Sequence, residues 1–174
     1  MNIIAQLFGI AGMACSISSF QCKKNRILFF LQATSGLMFG INFLMIGALG
    51  SALFNIFNIV RGMLFSKSDR IVWKLMVILA LYGSCTAVSL PSVWSDTFQM
   101  VLLLFTTAAQ FVGTAAMWSG NGTIIRKAEL FFVSPIWLIN GCINFTLGGI
   151  VSSCFNMISI IVSFIRFGKH SFEK

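Results

Sequence analysis

The 174-residue chain is short of charge, with 9% of its residues Asp, Glu, Lys or Arg, against about 25% in an average soluble domain. So few ions cannot cover the surface of a 19.1 kDa protein, which excludes a water-soluble globular fold. A disordered chain is excluded as well, because 57% of the residues are hydrophobic and the mean hydropathy is +0.93. Acidic residues are the scarcest ions: four Asp and Glu stand against twelve Lys and Arg, for a net charge of +8. The one histidine, His170, falls in a polar tail, and Asp69, Asp96, Glu129 and Glu173 fall in predicted loops or at helix ends. No carboxylate pair for acid–base work is visible, and none stands at mid-membrane as a proton relay requires. The cysteines Cys15, Cys22, Cys85, Cys142 and Cys154 show neither a CxxC pair nor metal-ligand spacing. Catalysis, a metal site and a cofactor are therefore not expected.

What the chain has instead is long apolar runs. A membrane-crossing helix needs about 20 mostly apolar residues, and seven such runs fall at roughly 2–20, 27–46, 48–66, 71–90, 97–118, 127–146 and 148–167. Charged or turn-forming segments separate most of them, namely Gln21–Arg26, Ser66–Arg70, Pro91–Asp96 and Ser119–Gly122. Segments such as Ile27–Leu31 and Val101–Phe105 lack the period-two alternation of barrel strands, so the spans are helical. The first run has no basic residue before it and is expected to be a retained helix rather than a signal peptide.

Threading seven spans through a bilayer sorts the charge. The loops after spans one, three and five, together with the C-terminal tail, collect Lys23, Lys24, Arg26, Arg61, Lys67, Arg70, Lys74, Arg126, Lys127, Arg166, Lys169 and Lys174. That is every Lys and Arg, which gives +9 on one face and −1 on the other once the acids are assigned. In a soluble protein the excess would point to nucleic acid. Here it orients the chain, because short basic loops stay cytoplasmic. The N-terminus is expected outside and the C-terminus inside, with Arg61 and Lys74 snorkelling to the cytoplasmic interface.

An internal repeat runs through the spans. Ala5-Gln6-Leu7-Phe8-Gly9-Ile10-Ala11-Gly12-Met13 matches 109–117 at Ala, Gln, Gly, Ala and Met. Leu28-Phe29-Phe30 returns as Leu130-Phe131-Phe132, and Ile41-Asn42-Phe43 as Ile143-Asn144-Phe145. Gly47, Ser51, Phe54, Asn55 and Ile59 align with Gly148, Ser152, Phe155, Asn156 and Ile160. The offsets are 104, 102 and 101. Spans one to three match five to seven, and span four is left over, because two parallel three-helix units need an extra crossing between them. The expected fold is thus an all-α membrane protein of seven transmembrane helices in a 3-1-3 plan. Its parts are a first repeat at about 1–66, a linker helix at about 71–90, a second repeat at about 97–167 and a tail at 168–174.

The segment Gly47-Ala48-Leu49-Gly50-Ser51-Ala52-Leu53-Phe54-Asn55-Ile56-Phe57-Asn58-Ile59-Val60-Arg61 and the closing Phe155-Asn156 helix ending in Phe164-Ile165-Arg166-Phe167 resemble the YgjV-type bacterial inner-membrane protein family. That resemblance implies a multi-pass protein of the bacterial inner (plasma) membrane and no assigned activity. More distantly, the repeat resembles the three-helix unit of SWEET, SemiSWEET and PQ-loop transporters. Phe20-Gln21 stands where their Pro-Gln pair would, and Asn55 and Asn156 stand at their third-helix Asn positions. The chain departs from that pattern in its prolines: Pro135 is the only one expected within a span, and its repeat partner is Ala33.

The polar residues inside the spans are the informative ones. Asn42, Asn55, Asn58, Asn140, Asn144 and Asn156 lie there with Gln6, Gln32 and Gln110. Each amide needs hydrogen-bond partners in hydrocarbon. One account makes them interhelical glue, at about 0.6–2 kcal/mol each. The other makes them the lining of a neutral polar cavity between the repeats. Asn55 and Asn156 are the leading candidates for solute binding, followed by Asn42 and Asn144 nearer the outer end. Trp73, Trp94 and Trp118 fall near the expected interfaces and Trp137 lies deeper. Small-x-x-x-small pairs at Ala5/Gly9, Ala109/Gly113 and Gly36/Gly40 read as helix-packing faces. The expected function is a small-molecule transporter or facilitator for a neutral or weakly polar solute in the lipid bilayer. The alternative is a non-transporting membrane scaffold or partner protein.

Overall fold

A computed structural model describes residues 3–45, 49–65, 71–143 and 147–167. All of its elements are helical: α1 (Ile3–Phe20), α2 (Asn25–Met45), α3 (Leu49–Phe65), α4 (Val72–Val93), α5 (Thr97–Trp118), α6 (Gly122–Ala128), a π-helical turn (Glu129–Val133), α7 (Ser134–Ile143) and α8 (Leu147–Phe167). The segment from α6 through the π turn to α7 is one continuous rod, so the described residues form seven rods. Five helical stretches are long and apolar enough to cross a membrane: Ile3–Phe20, Asn25–Met45, Val72–Pro91, Thr97–Trp118 and Gly149–Phe167. The other two rods are α3, at 17 residues, and the one the π turn interrupts.

Capping chemistry sets the breaks. Asp96 accepts from the backbone N–H groups of Phe98 (3.0 Å) and Gln99 (3.2 Å), so its carboxylate satisfies orphan donors at the start of α5. Asn121 does the same for α6, accepting from Thr123 (2.9 Å) and Ile124 (3.3 Å). Between α5 and α6, Gly120 adopts φ +62°, the left-handed conformation that ends a helix without Cβ strain. One of the two prolines departs from expectation, and the other reshapes the helix that holds it. Pro91, expected in a break, lies in the last turn of α4. Pro135 follows directly on the π turn, and its ring would clash with the carbonyl four residues back in an ordinary α-helix. The wider turn at Glu129–Val133 lets the helix pass the proline unbroken.

Helix α2 packs on both α1 and α3, α7 packs on α8, and α4 lies against α3 and α5. Contacts also run from α1 to α8 and from α3 to α5. Close approach uses small residues where predicted: a Cβ on Gly36 would meet the Asn55 carbonyl at 3.0 Å, and one on Gly9 would meet the Asn42 amide at 3.3 Å. The apolar core of Phe20, Leu28, Phe65, Ile78, Met117, Ile125 and Ile160 gathers residues from the end of α1, the start of α2, the end of α3, the start of α4, the end of α5, the start of α6 and the second half of α8. These positions share one end of the bundle, the end that carries Lys23, Lys24, Arg26, Arg126, Lys127 and Arg166. We call it the basic end.

The ends of α1 and α5, Phe20 and Trp118, stand 98 residues apart, and the starts of α2 and α6, Asn25 and Gly122, stand 97 apart. The first matched block, at an offset of 104, does not lie at matched heights on its two helices. Ala5 sits in the first turn of α1, whereas Ala109 is in the second half of α5.

Candidate functional site

A cavity of about 720 Å³ opens among α1, α2, α3, α5, α7, α8 and the π turn. On α1 it runs from Gln6 to Ser16 and stops short of the buried Phe20. On α2 it runs from Gln32 to Phe43, and on α8 from Gly149 to Asn156. It therefore extends from the middle of the bundle toward the end opposite the basic one.

Helices α3 and α8 supply much of its polar wall because their polar residues recur at helical spacing. Asn55, Asn58 and Arg61 form a stripe on α3, and Ser152, Ser153 and Asn156 one on α8. Of the predicted binding residues, Asn42, Asn55 and Asn156 all line this cavity. Asn144 lies outside the described residues, as do Lys67, Asp69, Arg70, Lys169, His170, Glu173 and Lys174. Trp137 also lines the cavity, as do Asn58, Asn140, Gln6, Gln32 and Gln110.

Several of these amides also bond across helices. Asn156 accepts from Ser16 Oγ at 2.9 Å, joining α8 to α1. Asn42 donates to the Ala5 carbonyl, and Asn58 accepts from Tyr82 Oη at 2.6 Å. Tyr82 is held in turn between Phe54, stacked at 5.8 Å, and Phe57, edge-on at 5.9 Å.

Two charged residues at the cavity depart from the sequence-based expectation. Arg61 does not snorkel to an interface. It is 8% exposed, and its Nη1 donates inward to Gln110 Oε1 (3.2 Å) and Thr114 Oγ1 (3.4 Å) on α5. Its height on α3 puts it one turn from the core residue Phe65 toward the cavity and on the cavity face, where its Nη1 meets polar atoms of α5. Glu129, expected at a helix end, lies inside the sixth rod on the π turn. It lines the cavity and accepts from Ser134 Oγ at 3.3 Å. Periodicity already carried the signal for Arg61, which continues the Asn55–Asn58 stripe at i+3. Glu129 had no such signal, because its direction depends on the π turn.

Below the cavity, the basic end is closed by polar contacts on top of the apolar layer. Arg126 has no exposed surface, and its guanidinium donates to the carbonyls of Phe20 (3.0 Å), Cys22 (2.6 Å) and Gly122 (3.1 Å). A cation at the C-terminus of α1 satisfies orphan carbonyls and favours the helix dipole. Asn25 Nδ2 donates to the Gly120 carbonyl at 2.7 Å. Gln21 Nε2 donates to the Ser159 carbonyl (2.6 Å) and Oγ (2.9 Å), tying α1 to α8. Lys74, also expected to snorkel, is 7% exposed and donates to the Leu64 carbonyl at 3.4 Å. Trp118 packs against the core rather than standing at an exposed interface, unlike Trp73 and Trp94, which are exposed. Among the described residues, no three His, Cys, Asp or Glu side chains come together as a metal site requires.

Comparison with known proteins adds the family. A family model described as bacterial inner membrane protein, of the YgjV type, matches residues 3–171. No curated protein and no solved structure matches the chain. A match over nearly the whole length, on a chain with several membrane-length apolar helices, makes this an integral, multi-pass membrane protein that belongs to the YgjV-type family of bacterial inner membrane proteins.

Proposed function

We propose that the protein is a small-molecule transporter or facilitator, with its solute site in the amide-lined cavity and no catalytic role. The observation that carries this reading is the one-ended cavity: about 720 Å³ of space, with amides set among apolar side chains in its wall, ends at an apolar layer stitched shut by Arg126, Gln21 and Asn25. Such a space is in the range of small-molecule sites, about 300–1,000 Å³. A void of that size with buried amides is a costly thing to keep in a merely structural protein.

The architecture proposed for it is two parallel three-helix units, α1–α3 and α5–α8, with α4 as the linking helix. An interval of about 98, read from the ends of α1 and α5 (98) and the starts of α2 and α6 (97), supports this plan, and so do the cross-unit contacts of α1 with α8 and α3 with α5. At that interval Asn58 corresponds to Asn156, Asn42 to Asn140 and Ser16 to Thr114, so the repeated amides shift by a turn from the pairing read in sequence. The orientation proposed is N-terminus outside and basic end cytoplasmic. On that orientation the cavity faces outward, and solute release requires the contacts at the basic end to part.

The test is solute flux into liposomes and solute-induced thermal stabilisation of the purified protein. Asn55→Ala with Asn156→Ala is expected to abolish both. Unchanged flux and unchanged stabilisation in the double variant would remove the cavity from the mechanism.

A scaffold without transport is the second reading. It draws on the interhelical bonds of Asn42, Asn58 and Asn156, which spend amide capacity on packing. It predicts a double variant that loses stability but never responds to any solute.

A further inference from the structure

We propose that the cavity is built for a small zwitterionic solute, one with a carboxylate and an ammonium group such as an α-amino acid, and that Arg61 and Glu129 anchor its two charges. This rests on the transport reading and names the solute class for the same cavity.

Arg61 has hydrogen-bonding capacity left over. Its Nη1 is committed to Gln110 and Thr114, but Nε is buried with no acceptor. Among the described residues Nη2 has no hydrogen-bond partner either. Nε is shielded from the cavity, so Nη2 is the donor left for a solute carboxylate, a charge-assisted contact. The guanidinium carbon stands 5.9 Å from the Tyr82 ring, and Tyr82 is itself held by its hydrogen bond to Asn58. The guanidinium is therefore positioned before any solute arrives.

Glu129 is the opposite pole. It lines the same cavity, and its hydrogen bond goes to Ser134. Neither residue uses up the other's donors or acceptors. A buried guanidinium with an unused donor is expensive unless something completes its shell.

Three kinds of solute can be compared at this site. A simple carboxylate would satisfy Arg61 and be repelled by Glu129. A hexose would leave Arg61 Nη2 facing only hydroxyls and give Glu129 no cation. A zwitterion matches both groups, adds no net charge to the cavity, and leaves its side chain to Asn55, Asn156 and Trp137.

The experiment is thermal unfolding of the detergent-purified protein, followed by binding titrations, with each proteinogenic amino acid at millimolar concentration. For every amino acid that stabilises, its deamino acid and its decarboxylated amine are tested beside it, and D-glucose serves as the neutral solute. At least one amino acid is expected to raise the melting temperature. Its two half-molecules are expected to bind at least about tenfold more weakly, the loss of one charge-assisted contact. Arg61→Gln and Glu129→Gln are each expected to weaken amino-acid binding by at least about tenfold. Arg61→Lys keeps the charge but not the planar guanidinium and is expected to restore only part of it. If Arg61→Gln does not fold, Arg61→Lys and Glu129→Gln carry the test.

A deamino acid that binds as tightly as its amino acid would overturn the proposal. So would stabilisation by D-glucose without any amino acid, although that result would leave the transport cavity standing. No response to any amino acid, deamino acid, amine or hexose would overturn the proposal and the transport reading together.

Discussion

The two ends of this bundle are made from the same rods and the same apolar residues, yet one is shut and the other is hollow. At the basic end Phe20, Leu28, Ile78 and Ile160 are fully buried, and Arg126, Gln21 and Asn25 bond across helices above them. Toward the other end Ile3, Leu7 and Ile10 are exposed on α1, and the cavity opens between the helices. Apolarity does not distinguish the two, because lipid tails are as apolar as leucine and give helices little hydrophobic reason to associate. What closes one end is polar stitching between segments far apart in sequence. Removing stitches should therefore affect the two ends unequally.

Arg126→Leu should have the largest effect. It strips the carbonyls of Phe20, Cys22 and Gly122 of their donor in a buried place, at a cost of about 2–4 kcal/mol. The melting temperature should drop, and maleimide should label Cys22 faster because the end around it has loosened. A large loss of stability with unchanged Cys22 labelling would mean that Arg126 holds one helix end and not the closure.

Gln21→Ala should come next. It removes two hydrogen bonds to Ser159, worth about 1–2 kcal/mol together, and should raise Cys22 labelling less than Arg126→Leu does. Equal effects of the two variants would show that the seal fails as a unit rather than stitch by stitch.

Asn42→Ala should be the mildest. It deletes a single α2–α1 bond at the hollow end, worth about 0.6 kcal/mol, with Cys22 labelling unchanged. A change in labelling from so distant a site would erase the contrast between the ends and couple them mechanically.

Much of this could be read from residue order. Apolar runs foretold helices because a chain in lipid must satisfy its own backbone, and helices do so within each segment. Breaks were legible at Asp96 and at Gly120-Asn121, where caps and a left-handed glycine end one helix and start the next. The polar stripe on α3 was legible as far as Asn58. Extending it three residues to Arg61 required treating a cation as a cavity residue, and a charge near the end of an apolar run looks the same in sequence whether it faces headgroups or a neighbour. Pro135 announced a disturbance in the sixth rod but not its form, and the π turn it accompanies decides where Glu129 points.

The repeat shows the same limit. In so apolar a chain, short words such as Leu-Phe-Phe recur easily, and they gave offsets of 104, 102 and 101. The ends of α1 and α5 stand 98 apart, and the starts of α2 and α6 stand 97 apart. The difference moves an amide by one to two turns, enough to change its neighbour.

The scarcity of charge and the length of the apolar runs decide on their own that this chain lives in a membrane, since no packing could give it a water-soluble surface. The excess of Lys and Arg marks one face of it in the same way. Which polar groups are satisfied, and which are left facing a cavity, is decided only in three dimensions. Inside lipid a side-chain donor must find its acceptor within the protein, and that acceptor is usually on another helix. Arg126 meets Phe20 across 106 positions and Arg61 meets Gln110 across 49. Those pairings depend on the height and rotation of each helix, which no local pattern encodes.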